Sequence, residues 1–216
     1  MDLFATVTRF FQNGGVFMYP ILALLVLGLA IAIERFAYLR RAYSENRTLW
    51  SKLLPMVNSG RYEDAEKLAA SSSTAIGRVL GYGIARSRGS ASREEVERAM
   101  EESLMEVTPQ LERRTHYLAT FANVATLLGL LGTIIGLIHG FSSLSGVNPA
   151  EKQDQLSEAV SIAMNCTAFG LMTAVPLLFI HAWLQTKTTE VIDSLEMASV
   201  KFLNAITERQ PAPAAA

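Results

Sequence analysis

The sequence predicts an all-α integral membrane protein with three transmembrane helices, and three runs without charge predict it. Residues 115–150 hold 36 positions between Arg114 and Glu151 with no Asp, Glu, Lys or Arg; Val16–Ile33 adds 18, and Ala159–Thr186 adds 28 between Glu158 and Lys187. Water-facing surface rarely goes so long without charge, and roughly 20 apolar residues make a helix that crosses a bilayer. The chain is 50% hydrophobic and 18% charged, which leaves room for a substantial aqueous part, and its net charge of −1 argues against a general role on nucleic acid.

Taken in order, residues 1–15 form an amphipathic N-terminal segment: Phe4, Val7, Phe10 and Phe11 give Asp2–Gln12 an apolar side suited to a short helix at the outer membrane surface. The first transmembrane helix is placed at 16–38, where the 18-residue core spans about 27 Å. Ala30-Ile31-Ala32 resembles a signal cleavage site, but the apolar core is too long for a signal and its start is not basic. Glu34-Arg35 and Arg40-Arg41 follow as a stop-transfer flank, so the span is read as uncleaved.

Residues 39–116 form a cytoplasmic helical domain. Arg41–Arg114 carries 12 basic and 11 acidic residues, a mixed charge that steers no polyanion. Ser92 and Glu95 are spaced as a capping box opening a helix through Glu106. Asn58-Ser-Gly60, the Ser71–Thr74 run and Arg88-Gly-Ser90 mark breaks, and Leu68, Ala69, Ile76, Val79, Leu80 and Ile84 make a small apolar face. Pro109 is expected to kink the helix leading into the second span.

The second transmembrane helix is placed at 117–141, an external loop at 142–157, and the third transmembrane helix at 158–183. The apolar stripe continues through Val191, Ile192, Leu195, Ala198, Phe202 and Ile206, so the third span is expected to run on as a cytoplasmic extension over 184–209. Residues 210–216 read as a disordered tail. With the N-terminus outside, only Arg9 and Lys152 of the 19 Lys and Arg lie outside, which predicts an N-out, C-in orientation.

The chemistry is concentrated in the second and third spans. Gly132, Gly136 and Gly140 recur every four residues, with Gly129 near the same face; such ladders let helix backbones approach closely in lipid. Thr126 and Thr133 share a face, and in the third span Ala163, Thr167, Gly170 and Ala174 form a comparable small-residue face, beside a partly polar row of Ser157, Ser161, Asn165 and Ala168. Pro176, deep in the third span, requires its freed carbonyl to be satisfied locally. Each residue also has a plain structural reading. Membrane threonines mostly bond their own i−4 carbonyl, a buried Asn165 makes a helix–helix hydrogen bond, His139 sits at the external interface, and Cys166 packs as a small residue. No Walker loop, zinc spacing or nucleophile with a placed base occurs, so neither a cofactor nor a soluble-type enzyme is expected.

Gly129-Leu-Leu-Gly-Thr133-Ile-Ile-Gly136, followed by Asn165-Cys-Thr167-Ala-Phe-Gly170-Leu-Met-Thr-Ala-Val-Pro176, resembles the MotA/TolQ/ExbB proton channel family over nearly the whole chain. Three spans place it beside the ExbB/TolQ branch, since the MotA branch has four. The resemblance implies a homo-oligomeric, pentameric ring in the bacterial inner membrane, with the N-terminus and the 142–157 loop periplasmic. It also implies an ExbD/TolR-like single-span partner carrying a transmembrane Asp inside the pore, and a TonB/TolA-like protein to which work is passed. Thr133 and Thr167 match the family's pore-facing polar positions.

No carboxylate lies within the three charge-free cores, and threonine cannot titrate near neutral pH, so the acid of a proton path has to come from a partner or from Glu158 at the margin of the third span. The resemblance implies a glutamate five positions before Thr167; Ile162 stands there, with Glu158 one turn earlier and Asn165 as an added polar group. Either Glu158 substitutes from a shifted depth or the ion route differs. Proton is the ion the family implies, while these oxygen ligands also suit sodium. Two readings stay open beside the ion-driven motor subunit: a scaffold whose Gly and Thr faces only pack helices, and a small-solute transporter. The transporter reading lacks the inverted repeat it would need.

Overall fold

The computed structural model describes residues 11, 14–89, 92–144 and 149–208, the last range from its backbone alone at 149 and 150. The expected tail at 210–216 lies outside the described residues, as does the N-terminal segment apart from Phe11, Gly14 and Gly15. Six helices are bounded among the described residues: α1 Met18–Asn58, α2 Tyr62–Ala70, α3 Ala75–Arg88, α4 Arg93–Glu112, α5 Thr115–Ser143 and α6 Pro149–Thr207. The described chain is all helical, and α1, α5 and α6 contain stretches long and apolar enough to cross a membrane.

Two helix boundaries differ from expectation. Residues 142–157, expected as a loop, carry the end of α5 at Ser143 and the start of α6 at Pro149. Proline at a first helical position gives up an N–H that has no partner there anyway, and Glu151 adds a negative charge to the same turn. Pro109 lies inside α4, which continues to Glu112; the break comes instead at Arg113 and Arg114. Arg114 has φ 66°, a left-handed conformation that costs a non-glycine residue. Its guanidinium is paired with Glu34 at 2.9 Å, which helps hold that conformation.

The helices divide between two units. One contains the stretch ending at Glu34 together with Arg114–Trp183; the other contains Arg35–Arg113 and the chain from Leu184 onward. The second unit is held by large apolar side chains. Leu53, Leu80, Ile84, Met100, Leu195 and Phe202 are all at most 1% exposed and share one core. Both apolar stripes expected from the sequence, on α3 and on the last part of α6, meet in this core.

Its helix ends are satisfied in specific ways. Ser92 Oγ accepts from the Glu95 N–H and Glu95 Oε2 from the Ser92 N–H, each at 3.3 Å, completing the expected capping box. Thr74 Oγ1 accepts from the Gly77 N–H at 3.2 Å, and the buried Asn46 Oδ1 of α1 accepts from the Ile76 N–H at 3.2 Å, so two of the first-turn donors of α3 are bonded. At the far end of α4, buried Arg35 donates to the Leu111 carbonyl, placing a cation at the negative end of that helix. Gly60 closes the turn after α1 at φ +75°, which glycine adopts without strain.

Candidate functional site: a hydroxyl pair between two apolar helices

The first unit is built differently. Along α5 and α6 small residues face one another. Gly129 meets Thr167 and Gly170, Gly132 meets Cys166, Gly136 meets Ala163 and Gly140 meets Ala159. Residue numbers rise on one helix as they fall on the other, so the pair is antiparallel. A Cβ added at Gly170 would stand 2.7 Å from the Ala125 carbonyl oxygen, and one at Gly129 would stand 3.2 Å from the Thr167 Cα. Only glycine lets the backbones come so near. On α1, Gly28 instead makes room for the Leu177 side chain of α6.

This approach brings hydroxyls within reach of the opposite backbone. Thr167 Oγ1 donates to the Gly129 carbonyl at 3.0 Å, and Thr133 Oγ1 lies 3.2 Å from both its own i−4 carbonyl, Gly129, and the Ala163 carbonyl across the interface. The two hydroxyls also bond directly to each other. Four oxygens therefore surround two hydroxyl protons, so the cluster is rich in acceptors. The faces carrying Thr133 and Thr167 were legible from spacing. The use of Gly129 O by both side chains was not, because it depends on the register of the two helices.

The other expected residues fall elsewhere. Asn165 is two positions from Thr167, about 200° around α6, and is half-buried away from the pair. Glu158 is nine positions before Thr167, about 13 Å along the axis, beyond the reach of its carboxylate. Pro176 is exposed and α6 continues through it. One residue the sequence reading passed over is Thr173, 1% exposed, whose hydroxyl has no hydrogen-bond partner among the described residues. It is on the buried face of α6 with Cys166 and Leu177, and by the α5–α6 register it is level with Thr126.

The sequence profile of the MotA/TolQ/ExbB proton channel family matches residues 71–197, which include both threonines and the small-residue contacts around them. The chain belongs to the MotA/TolQ/ExbB proton channel family. It is 29% identical over 203 residues to a biopolymer transport protein ExbB homolog of Methanothermobacter thermautotrophicus, covering 91% of this chain and 69% of that one. It is 31% identical over 129 residues to the biopolymer transport protein ExbB of Xanthomonas campestris pv. campestris, covering 60% and 49%. Over 110 residues it is 31% identical to the Tol-Pal system protein TolQ of Haemophilus influenzae, covering 51% and 46%. These matches place it in the ExbB/TolQ-like branch, a multi-pass membrane protein of a transport family.

In this ExbB/TolQ-like chain the position where the resemblance implies a glutamate holds Ile162, and the structure shows what surrounds it. Ile162, Glu158 and His139 line one groove of about 670 Å³ with Gly15, Phe17 and Gly136, toward the Ser143 end of α5. Glu158 is exposed there, so the structure leaves it at the mouth of this groove and apart from the hydroxyl pair.

Proposed function

We propose that this chain is the pore-forming subunit of an ExbB/TolQ-type motor in the inner membrane. Several copies, five by the family resemblance, surround the transmembrane helix of an ExbD/TolR-like partner whose Asp supplies the carboxylate that the charge-free cores of this chain lack. Ion flow, of protons by family, is converted to work on a periplasm-spanning TonB/TolA-like protein. The spans are 16–38, 117–141 and 158–183, with the N-terminus periplasmic and the helical domain at 39–116 and the 184–209 extension cytoplasmic.

The observation that carries this reading is the acceptor-rich Thr133–Thr167 cluster between the charge-free stretches of α5 and α6. Bonding to packed backbone fixes both hydroxyl oxygens in place, and each keeps lone pairs for an incoming donor such as a protonated carboxyl group or a hydrated cation. Glu158 at the groove mouth is suited to collecting cations on the external side.

A scaffold reading draws on the same bonds, since hydroxyls satisfied by carbonyls also fasten helices. Thr133→Val and Thr167→Val decide between them in liposomes holding this protein and a partner with an intact transmembrane Asp. The motor reading expects partner-dependent flux to be lost while native mass spectrometry shows an unchanged oligomer. Undiminished flux in the double variant would leave the two hydroxyls as packing groups, and no partner-dependent flux in the wild type would leave the scaffold. Opposed proton and sodium gradients in the same liposomes identify the ion.

A further inference from the structure

In the second unit, α4 and α6 enclose an open groove of about 640 Å³ whose floor is apolar and whose rims are acidic: Met105, Leu104 and Val200 lie between Glu97, Glu101 and Glu196. Met105 is 74% exposed and Val200 54%, a large apolar exposure between carboxylates. None of the three carboxylates has an ion-pair partner among the described residues.

The complementary surface is on the same unit. Arg40, Tyr43 and Arg47 follow one another along α1 at three- and four-residue steps, so they share a face, turned aside from the buried Leu39, Asn46 and Leu53. Tyr43 is 46% exposed, and neither arginine is ion-paired among the described residues. An aromatic ring between two arginines is the composition of an interface anchor, and methionine is an adaptable surface for an aromatic to pack on.

Height along the helices matches as well. The hydrogen bond from the Arg35 guanidinium to the Leu111 carbonyl puts those two residues at the same height to within the reach of an arginine side chain. At about 1.5 Å per residue, Tyr43 stands about 12 Å and Arg47 about 18 Å beyond that level, against about 9 Å for Met105, 15 Å for Glu101 and 21 Å for Glu97. Copies related by an axis along the membrane normal keep every residue at its own height, so surfaces that meet in a ring must agree in this way. We propose that the α4–α6 groove of each copy seats the Arg40–Tyr43–Arg47 face of its neighbour, with Tyr43 on Met105 and Arg47 between Glu97 and Glu101. The contact is head-to-tail, the kind that closes into a ring, and it rests on the ring reading above.

The test uses two differently tagged full-length chains expressed together, one with Tyr43→Cys and the other with Met105→Cys; native Cys166 is buried and stays in place. A short bismaleimide is expected to join the two tags, and neither single-cysteine pairing with wild type should do so. Adding Arg47→Glu to the Tyr43→Cys chain should remove the cross-link, and adding Glu101→Arg to the Met105→Cys chain should then restore it, which a folding defect would not allow. A ring intact by native mass spectrometry but without the cross-link would overturn the contact and leave the groove to a basic segment of another protein. A monomer by mass would overturn the contact and the ring together.

Discussion

The two units are built on opposite packing logics. Where α5 meets α6 in the first unit, the contacts include glycine, alanine, cysteine and threonine, and the backbones nearly touch. In the second, the last part of α6 meets its neighbours through Phe202, Leu195 and Leu80, and even Gly83 is there to clear space for Met100 and Phe202. The difference follows from the solvent each unit is suited to. In water, burying a large apolar side chain is the main driving force; in lipid the surroundings are as apolar as the side chain, so close van der Waals contact and interhelical hydrogen bonds take over. The exposed surfaces agree: Leu127, Ile134, Ile138 and Phe179 lie outermost on the first unit, and arginines and glutamates on the second.

The chain's two tryptophans fall one in each unit, Trp183 in the first and Trp50 against the core of the second, so single-tryptophan variants can follow each unit separately during thermal unfolding in detergent. The largest effect is expected from Phe202→Ala, which empties the centre of the second unit and should cost about 3–5 kcal/mol, read as an early transition of Trp50 with Trp183 little changed. Gly170→Ala should do the reverse. It presses a methyl group onto the Ala125 carbonyl and should cost about 1–3 kcal/mol, seen through Trp183. If Gly170→Ala left that signal in place, close backbone approach would not be what holds α5 to α6.

Smaller changes sharpen the contrast. Ser92→Ala removes half of the capping box and should lower the stability of the second unit by about 1 kcal/mol, with no effect on the first. Thr173→Val replaces an unpartnered buried hydroxyl by an isosteric methyl and should be neutral or stabilising by up to about 1 kcal/mol; a clear loss would mean that this hydroxyl is bonded in the membrane.

Much of this was legible in the sequence because it depends on local rules. The charge-free runs, the Ser92–Glu95 box, the breaks at Asn58–Gly60 and Ser71–Thr74 and the continuation of α6 to Thr207 follow from composition and spacing, and the structure contains each of them. What escaped depends on partners distant in sequence. The break at Arg114 carries no glycine to announce it and is supported by Glu34, 80 residues away. The hydroxyl pair needed a register that spacing within one helix does not supply, and Asn165, two positions before Thr167, is turned off by helical geometry alone.

The tight fit of Cys166 under Gly132 has one further consequence. As the single cysteine of the chain, Cys166 can react with a small maleimide only when α5 and α6 part. Its labelling rate therefore counts those openings one molecule at a time. Compared with and without an ion gradient across the membrane, it would report whether an energised membrane makes this pair of helices breathe.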